Sequence, residues 1–96
     1  MFKELDPLLH SELRLAIVSL LVAMNEMEFG EIKDKTNATA GNLSVQLQKL
    51  TDAKYISLKK SFKGKYPLTT CKITKKGVQA FDNYVDALKD YLKPKK

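Results

Sequence analysis

Apolar residues in the first half of the chain recur every three or four positions, which is the period of an α-helix. This pattern predicts one helix from residue 11 to about residue 24 and a shorter one over residues 28–35. A third helix is predicted to begin at Thr39, because threonine is a good N-terminal cap. The spacing on this helix puts three leucines on one face: Leu43, Leu47 and Leu50. Two helices joined by a short turn are the unit of a helix-turn-helix.

The period changes from helical to alternating after residue 55, which predicts strands. Ile56 and Leu58 are expected to face inward. A turn around Gly64 leads to a return strand over residues 68–73, which is rich in β-branched residues. Thr74 is then expected to cap a last helix. The predicted order is helix, helix, helix, strand, strand, helix, a mainly α fold with a β-hairpin (α+β).

The last helix, over residues 74–92, carries an apolar seam with steps of three and four, as in a coiled-coil contact. At roughly 28 Å it is longer than a core this small can cover, so part of it is expected to bury against a second copy. Apolar residues ahead of the first helix could join that contact. The alternative is that the seam packs only on the chain's own core. The predicted dimer contacts are Leu5, Leu8, Leu9, Val78, Phe81, Val85, Leu88 and Leu92.

The composition is that of one globular domain, predicted over residues 1–92, with a disordered basic tail over residues 93–96. Hydrophobic residues make up 44% and charged residues 29% of the 96 positions, and no apolar run approaches the roughly 20 residues that span a bilayer. The first residues lack a secretory-signal layout, so a cytoplasmic location is expected. One cysteine and one histidine cannot build a disulfide framework or a metal cage. Neither a cofactor nor catalysis is expected.

Charge is unevenly distributed along the chain, whose net charge is +6. Residues 53–81 contain no Asp or Glu, and the lysines in this stretch are Lys54, Lys59, Lys60, Lys63, Lys65, Lys72, Lys75 and Lys76. Such a local field suits a polyanion, because phosphate neutralisation releases counterions and supplies sequence-independent affinity for nucleic acid. The alternative is a solvated lysine-rich surface.

Four segments in this order resemble the winged helix-turn-helix regulators of the MarR and ArsR type. They are the turn and helix over residues 38–47, the link over 50–56, the hairpin over 59–65, and the junction Ile73-Thr74-Lys75-Lys76-Gly77. The resemblance implies that the third helix enters the DNA major groove and that the hairpin, or wing, lies against the backbone or minor groove. It also implies that the last helix forms a dimer.

The exposed face predicted for the third helix has side chains suited to base edges and phosphates. Its amides can donate and accept, as adenine edges require, and Val45 could contact a thymine methyl. Gly41 leaves a thin surface for a close partner. The predicted groove contacts are Thr39, Gly41, Asn42, Ser44, Val45, Gln46 and Lys49. The alternative is an ordinary polar helix surface.

Lysine is a mobile point charge that suits phosphate and cannot read guanine in a bidentate manner, so the wing is assigned to affinity. The predicted phosphate contacts are Lys59, Lys60, Lys63, Lys65, Lys75 and Lys76. The sequence therefore predicts a homodimeric, sequence-specific regulator that binds double-stranded DNA. A protein-association or RNA-binding module is the alternative, and a small-molecule effector, if one exists, is unknown.

Overall fold

The computed structural model describes residues 2–93 as four helices and one three-stranded sheet. The helices are α1 (Glu12–Met24), α2 (Phe29–Thr36), α3 (Ala40–Asp52) and α4 (Lys75–Leu92), and the strands are β1 (Glu26–Glu28), β2 (Ile56–Lys63) and β3 (Tyr66–Ile73). The predicted fold class and the order of the helices and the hairpin are confirmed. Of the predicted basic tail, residues 94–96 lie outside the described residues.

The short strand β1 was not predicted. It pairs antiparallel with β3, placing Met27 opposite Cys71, so that the sheet order is β1-β3-β2. Three residues are too few to show alternation, and Met27 is the only buried one. Because β1 includes Glu28, helix α2 begins one residue later than expected.

The core lies between α1, α2, α3 and the inner face of the sheet, and α4 covers one side. The predicted leucine face of α3 is buried as expected. Leu9, which precedes α1, is fully buried in the same cluster. The prediction that Leu9 forms a dimer contact is therefore wrong, because its side chain has no exposed surface to bury against a second copy. Leu5 and Leu8 pack on this cluster and remain partly exposed.

Two predicted threonine caps are confirmed by their hydrogen bonds. The hydroxyl of Thr39 accepts from the backbone N–H of Asn42 at 3.2 Å, and that of Thr74 accepts from Gly77 N–H at 3.0 Å. At the other end of α3, Lys54 has a φ of 65° and takes the left-handed position that usually favours glycine. The backbone N–H groups of Lys54 and Tyr55 then satisfy two of the last carbonyls of α3.

The wing turn is tight. Lys63 pairs with Tyr66, so Gly64 and Lys65 alone form the loop. Gly64 has a φ of 65° and Lys65 is not in the left-handed region, which is the pattern of a type II′ hairpin turn.

Two features are absent from residues 2–93. No helix there is both long and apolar enough to cross a membrane. The same residues hold no cluster of three or more His, Cys, Asp or Glu side chains placed to bind a metal ion.

Candidate nucleic-acid interface

The exposed face of α3 contains nearly all the predicted groove residues. Thr39, Gly41, Asn42, Ser44 and Lys49 are exposed, and Val45 keeps 52% of its surface accessible. The first turn is narrow, since a Cβ atom added at Gly41 would have no neighbour within 4 Å. This turn is thus open to a close partner.

Gln46 differs from these residues, because it is half-buried and its amide is already engaged. Arg14 Nη1 donates to Gln46 Oε1 at 2.6 Å, and Gln46 Nε2 donates to Asn42 Oδ1 at 3.0 Å. Arg14 Nε also donates to the carbonyl oxygen of Leu8 at 2.6 Å. We call this chain of hydrogen bonds the Arg14 relay. The sequence predicts a free Gln46 amide, because local spacing gives no sign of a partner 32 residues away.

The wing presents four exposed lysines that lie on different sides of the hairpin. Successive strand residues face opposite sides of a sheet, so Lys59 and Lys63 share one face, Lys60 lies on the other and Lys65 is in the turn. Within residues 2–93 the one ion pair joins Lys89 and Asp86 on α4. The wing lysines therefore keep their charges available for an outside anion.

Two aromatic side chains at the wing tip were not assigned to the interface from sequence. Phe62 is 74% and Tyr66 is 76% exposed, and the strand register places them on opposite faces. The sequence offers them, with Val45, only as candidates for an apolar patch in the protein-association alternative. They make the tip apolar as well as basic.

Lys75 and Lys76 lie at the opposite end of the hairpin from Lys63 and Lys65. They follow β3 at the base of the hairpin, seven residue steps or about 24 Å from the turn. Lys76 Nζ lies 5.6 Å from the centre of the Tyr55 ring. The length of the hairpin thus separates these two lysines from the turn, and their phosphate contacts stay a prediction.

Tyr55 connects the hairpin base to the segment before α1. Its hydroxyl donates to Asp6 Oδ2 at 2.5 Å. Burial raises the pKa of Tyr55 to about 12, and the hydrogen bond and negative charge of Asp6 add to that shift. An open groove of about 460 Å³ runs beside this pair, with Lys76 and Tyr84 among its lining residues.

Helix α4 has one face on the core and a second that is only partly covered. Tyr84 and Ala87, which the seam did not include, are the side chains most buried on the core. The seam residues Val78, Phe81, Val85 and Leu88 are half-buried, and Leu92 is 71% exposed. Near the end of α4, the Tyr91 ring lies 4.6 Å from that of Phe2. Partly exposed apolar area thus remains along α4.

Known proteins that are similar to this chain share its architecture. A family model described as a winged helix DNA-binding domain matches residues 13–92. An uncharacterized protein of Methanocaldococcus jannaschii is 42% identical over 77 residues, which cover 79% of this chain and 83% of that protein.

Two solved structures are similar in fold. A transcriptional regulator homologue from Pyrococcus horikoshii has a TM-score of 0.83 at 24% identity, covering 88% of this chain and 84% of its own. Bacillus subtilis PadR, solved in complex with operator DNA, has a TM-score of 0.70 at 23% identity, covering 78% of this chain and 47% of PadR. The narrower resemblance to the MarR and ArsR type stays a prediction. Since the family model spans most of the chain and the fold agrees, the protein belongs to the winged-helix DNA-binding domain family.

Proposed function

We propose that this protein is a transcription regulator that binds double-stranded DNA sequence-specifically as a homodimer. The observation that carries the proposal is the wing, whose four exposed lysines have no acidic neighbour in the stretch between Asp52 and Asp82. Helix α3, with its exposed polar face, packs against the same strand β2. A basic hairpin beside an exposed polar helix suits a phosphate backbone and its groove.

In this proposal α3 enters the major groove with its first turn towards the base edges. Thr39, Gly41 and Asn42 lie in or beside that turn, and Ser44, Val45 and Lys49 follow on exposed positions. Gln46 contributes through its bond to Asn42. The wing lysines hold phosphates and supply affinity, since a lysine ammonium has no fork geometry for reading a base.

The homodimer forms through the partly covered seam of α4. The half-buried residues Val78, Phe81, Val85 and Leu88, together with the exposed Leu92, offer a continuous apolar strip. Leu5 and Leu8, which are partly exposed before α1 and pack on the same core, join the contact in this proposal. A two-fold contact of this kind places two α3 helices for half-sites one DNA turn, about 34 Å, apart.

Two similar proteins support this function through their own descriptions. One is described as a transcriptional regulator homologue, and PadR was solved in complex with operator DNA. A small-molecule effector of this regulator is part of the proposal, but no side chain among the described residues indicates its chemical class. The groove beside Tyr55 and Asp6 is open and has charged and polar walls.

The test is binding of the purified protein to a random-sequence duplex and to single-stranded RNA over a salt series, with its mass in solution recorded. A dimer that prefers duplex, with log affinity falling linearly against log salt, is expected. Lys63→Gln should weaken binding to all sequences alike and lower the salt slope by about 1. Lys89→Gln, on α4 and paired with Asp86, is the matched control. Failure to bind duplex at low salt would refute DNA binding, and a monomeric mass would refute the homodimer.

A protein-association module is the second candidate, favoured by the exposed apolar side chains Val45, Phe62 and Tyr66. These three residues are divided between α3 and the two faces of the wing. This alternative would be supported if the wild-type protein bound no nucleic acid and Phe62→Ser abolished its binding to a protein partner.

A further inference from the structure

We propose that Arg14 is a positioning residue that fixes the direction of the hydrogen bonds on the first turn of α3, so that Asn42 offers an outside partner its amide donor rather than its acceptor. This inference rests on the proposed function and deepens it. It assigns to the site a preference for base edges that accept hydrogen bonds.

The direction of the Arg14 relay follows from the chemistry of the guanidinium group, which has five N–H donors and no acceptor. The atom of Gln46 that faces Arg14 Nη1 at 2.6 Å must therefore be its oxygen. The other end of the same amide, Nε2, can only donate, and it lies 3.0 Å from Asn42. The Asn42 atom that receives this bond must be Oδ1. Asn42 Nδ2 is then the end of the amide with no bond inside the relay.

Arg14 is itself held in place at its other side. Its Nε donates to the carbonyl oxygen of Leu8 at 2.6 Å, and the side chain is half-buried. Hydrogen bonds from a charged donor are roughly twice as strong as neutral ones, so the relay has a fixed starting point. It is the only arginine in the chain. A lysine could not make both bonds with the same planar geometry.

The relay changes what Asn42 can read. A free asparagine amide pairs with adenine in a bidentate manner, donating to N7 and accepting from the N6 amino group. Gln46 engages one of the two lone pairs of Oδ1 and fixes the orientation of the Asn42 amide, so the two N–H groups of Nδ2 are the groups best placed to meet a base. The base edges that fit are those presenting acceptors in the major groove, namely guanine N7 and O6 or thymine O4. The adenine preference that the sequence suggested for these amides is therefore replaced by a guanine or thymine preference at the position that Asn42 contacts.

The experiment is selection of binding sites from random duplexes by the full chain and three variants. Asn42→Ala identifies the base pair that Asn42 contacts, because the base preference at that position of the DNA site should disappear in this variant. The wild-type protein is expected to enrich guanine or thymine there. Gln46→Met removes the bond to Asn42 Oδ1, and Arg14→Met removes the contact that fixes the direction of the Gln46 amide. Each should raise the adenine share at this position, by roughly tenfold relative to wild type.

A matched control lies two residues further along the same helix. Gln48 Nε2 donates to Asp52 Oδ1 at 2.8 Å with the same spacing of four residues, but Gln48 does not contact Arg14 or Asn42. Gln48→Met is expected to leave the preferred base unchanged. Since Arg14→Met also leaves the Leu8 carbonyl without its donor, Gln46→Met covers the case in which that variant does not fold.

A second readout does not depend on DNA. In the free protein, NMR should show slow hydrogen exchange for the Gln46 side-chain amide and fast exchange for that of Asn42. Both should exchange fast in Arg14→Met, and equal rates in the wild-type protein would refute the relay. Enrichment of adenine by wild type, or an unchanged preference in Gln46→Met, would refute the inference while DNA binding stands. Loss of all duplex binding by wild type would instead refute the proposed function.

Discussion

The two ends of the β2–β3 hairpin are built in opposite ways. At the base, Ile56 and Ile73 face each other in the core, and Gly77 is buried against Tyr55. At the tip, Phe62 and Tyr66 are about three-quarters exposed. One pair of strands thus runs from a fully packed end to an end with no core beneath it.

This difference shows how a small fold divides its tasks. Buried contacts at the base join the hairpin to α4 and fix its position relative to the core, because a close-packed interior tolerates little change in volume. Side chains at the tip pack against few neighbours, so the residue types there can be selected for binding a partner rather than for stability. Substitutions at the base should therefore change stability, and substitutions at the tip should change binding.

The largest effect is expected for Gly77→Ala. A Cβ atom at this position would lie 2.1 Å from the Tyr55 carbonyl oxygen and 2.8 Å from Ile73 Cδ1, so the backbone would have to move. We expect a loss of about 3 kcal/mol in the free energy of unfolding, measured with urea. Gly30→Ala is the control, since its Cβ would meet nothing within 4 Å. Equal stability of the two variants would contradict a tightly packed base.

A smaller loss is expected for Thr74→Ala. The Thr74 hydroxyl caps α4 at Gly77 N–H and also lies 2.7 Å from the Lys54 carbonyl oxygen, to which it donates. Losing both contacts should cost about 1–2 kcal/mol of unfolding free energy, and Thr39→Ala, which removes a cap alone, should cost about 1 kcal/mol. Thr74→Ser, which keeps the hydroxyl, should restore most of the stability. If it does not, the methyl group rather than the hydroxyl stabilises the junction.

Alkaline pH should weaken the base through Tyr55. Its pKa is about 12 in the folded protein and 10.0 ordinarily, so the folded state favours the neutral phenol. The resulting stability is complete below about pH 10 and is lost as pH rises towards 12. Tyr55→Phe should be less stable than wild type by about 1 kcal/mol near neutral pH, because the bond to Asp6 is lost.

The difference between wild type and Tyr55→Phe should shrink as pH rises from about 10 to about 12. Urea unfolding of both proteins across this range measures it, and a constant difference would contradict the assignment. The buried thiol of Cys71, whose pKa burial raises to about 11 from 9.0, contributes a separate loss from about pH 9 in both proteins. The comparison between the two proteins cancels that contribution.

The smallest effect on stability is expected at the tip. Phe62→Ser and Tyr66→Ser should each change the free energy of unfolding by less than about 0.5 kcal/mol, because both side chains are exposed. At the base, Ile56→Val removes only one methyl group and should still cost about 1 kcal/mol. Urea unfolding ranks the three variants by free energy of unfolding. A larger loss for a tip variant than for Ile56→Val would contradict the difference between the packed base and the exposed tip.

The elements that could be predicted from the sequence are those whose apolar residues repeat several times at a helical or strand spacing, or that begin at a clear capping residue. One of these conditions holds for each of helices α1, α3 and α4 and for the hairpin. Thr39 and Thr74 are predicted as caps from their residue type and position, and their hydrogen bonds confirm it. The exposed positions on α3 followed from its buried leucines. These are local properties, which spacing along a helix or strand records directly.

The features that could not be predicted depend on residues far apart in the chain. Strand β1 has no pattern of its own and exists through pairing with β3. The bond from Arg14 to Gln46 and the burial of Leu9 arise from tertiary packing. Lys75 and Lys76 follow Lys63 and Lys65 closely in sequence, yet the folded hairpin places the two pairs at opposite ends. Periodicity carries no information about such placements.

Cys71 gives the molecule a built-in reporter of how the sheet opens. Its thiol is fully buried in β3, between Met27 of β1 and Leu58 of β2, and it is the only cysteine in the chain. A thiol reagent can reach it only when neighbouring strands separate, so the rate of labelling counts opening events. Any ligand that binds the closed form alone must slow that rate in proportion to its occupancy. The unmodified protein therefore carries its own kinetic assay for ligands, whatever their chemical class.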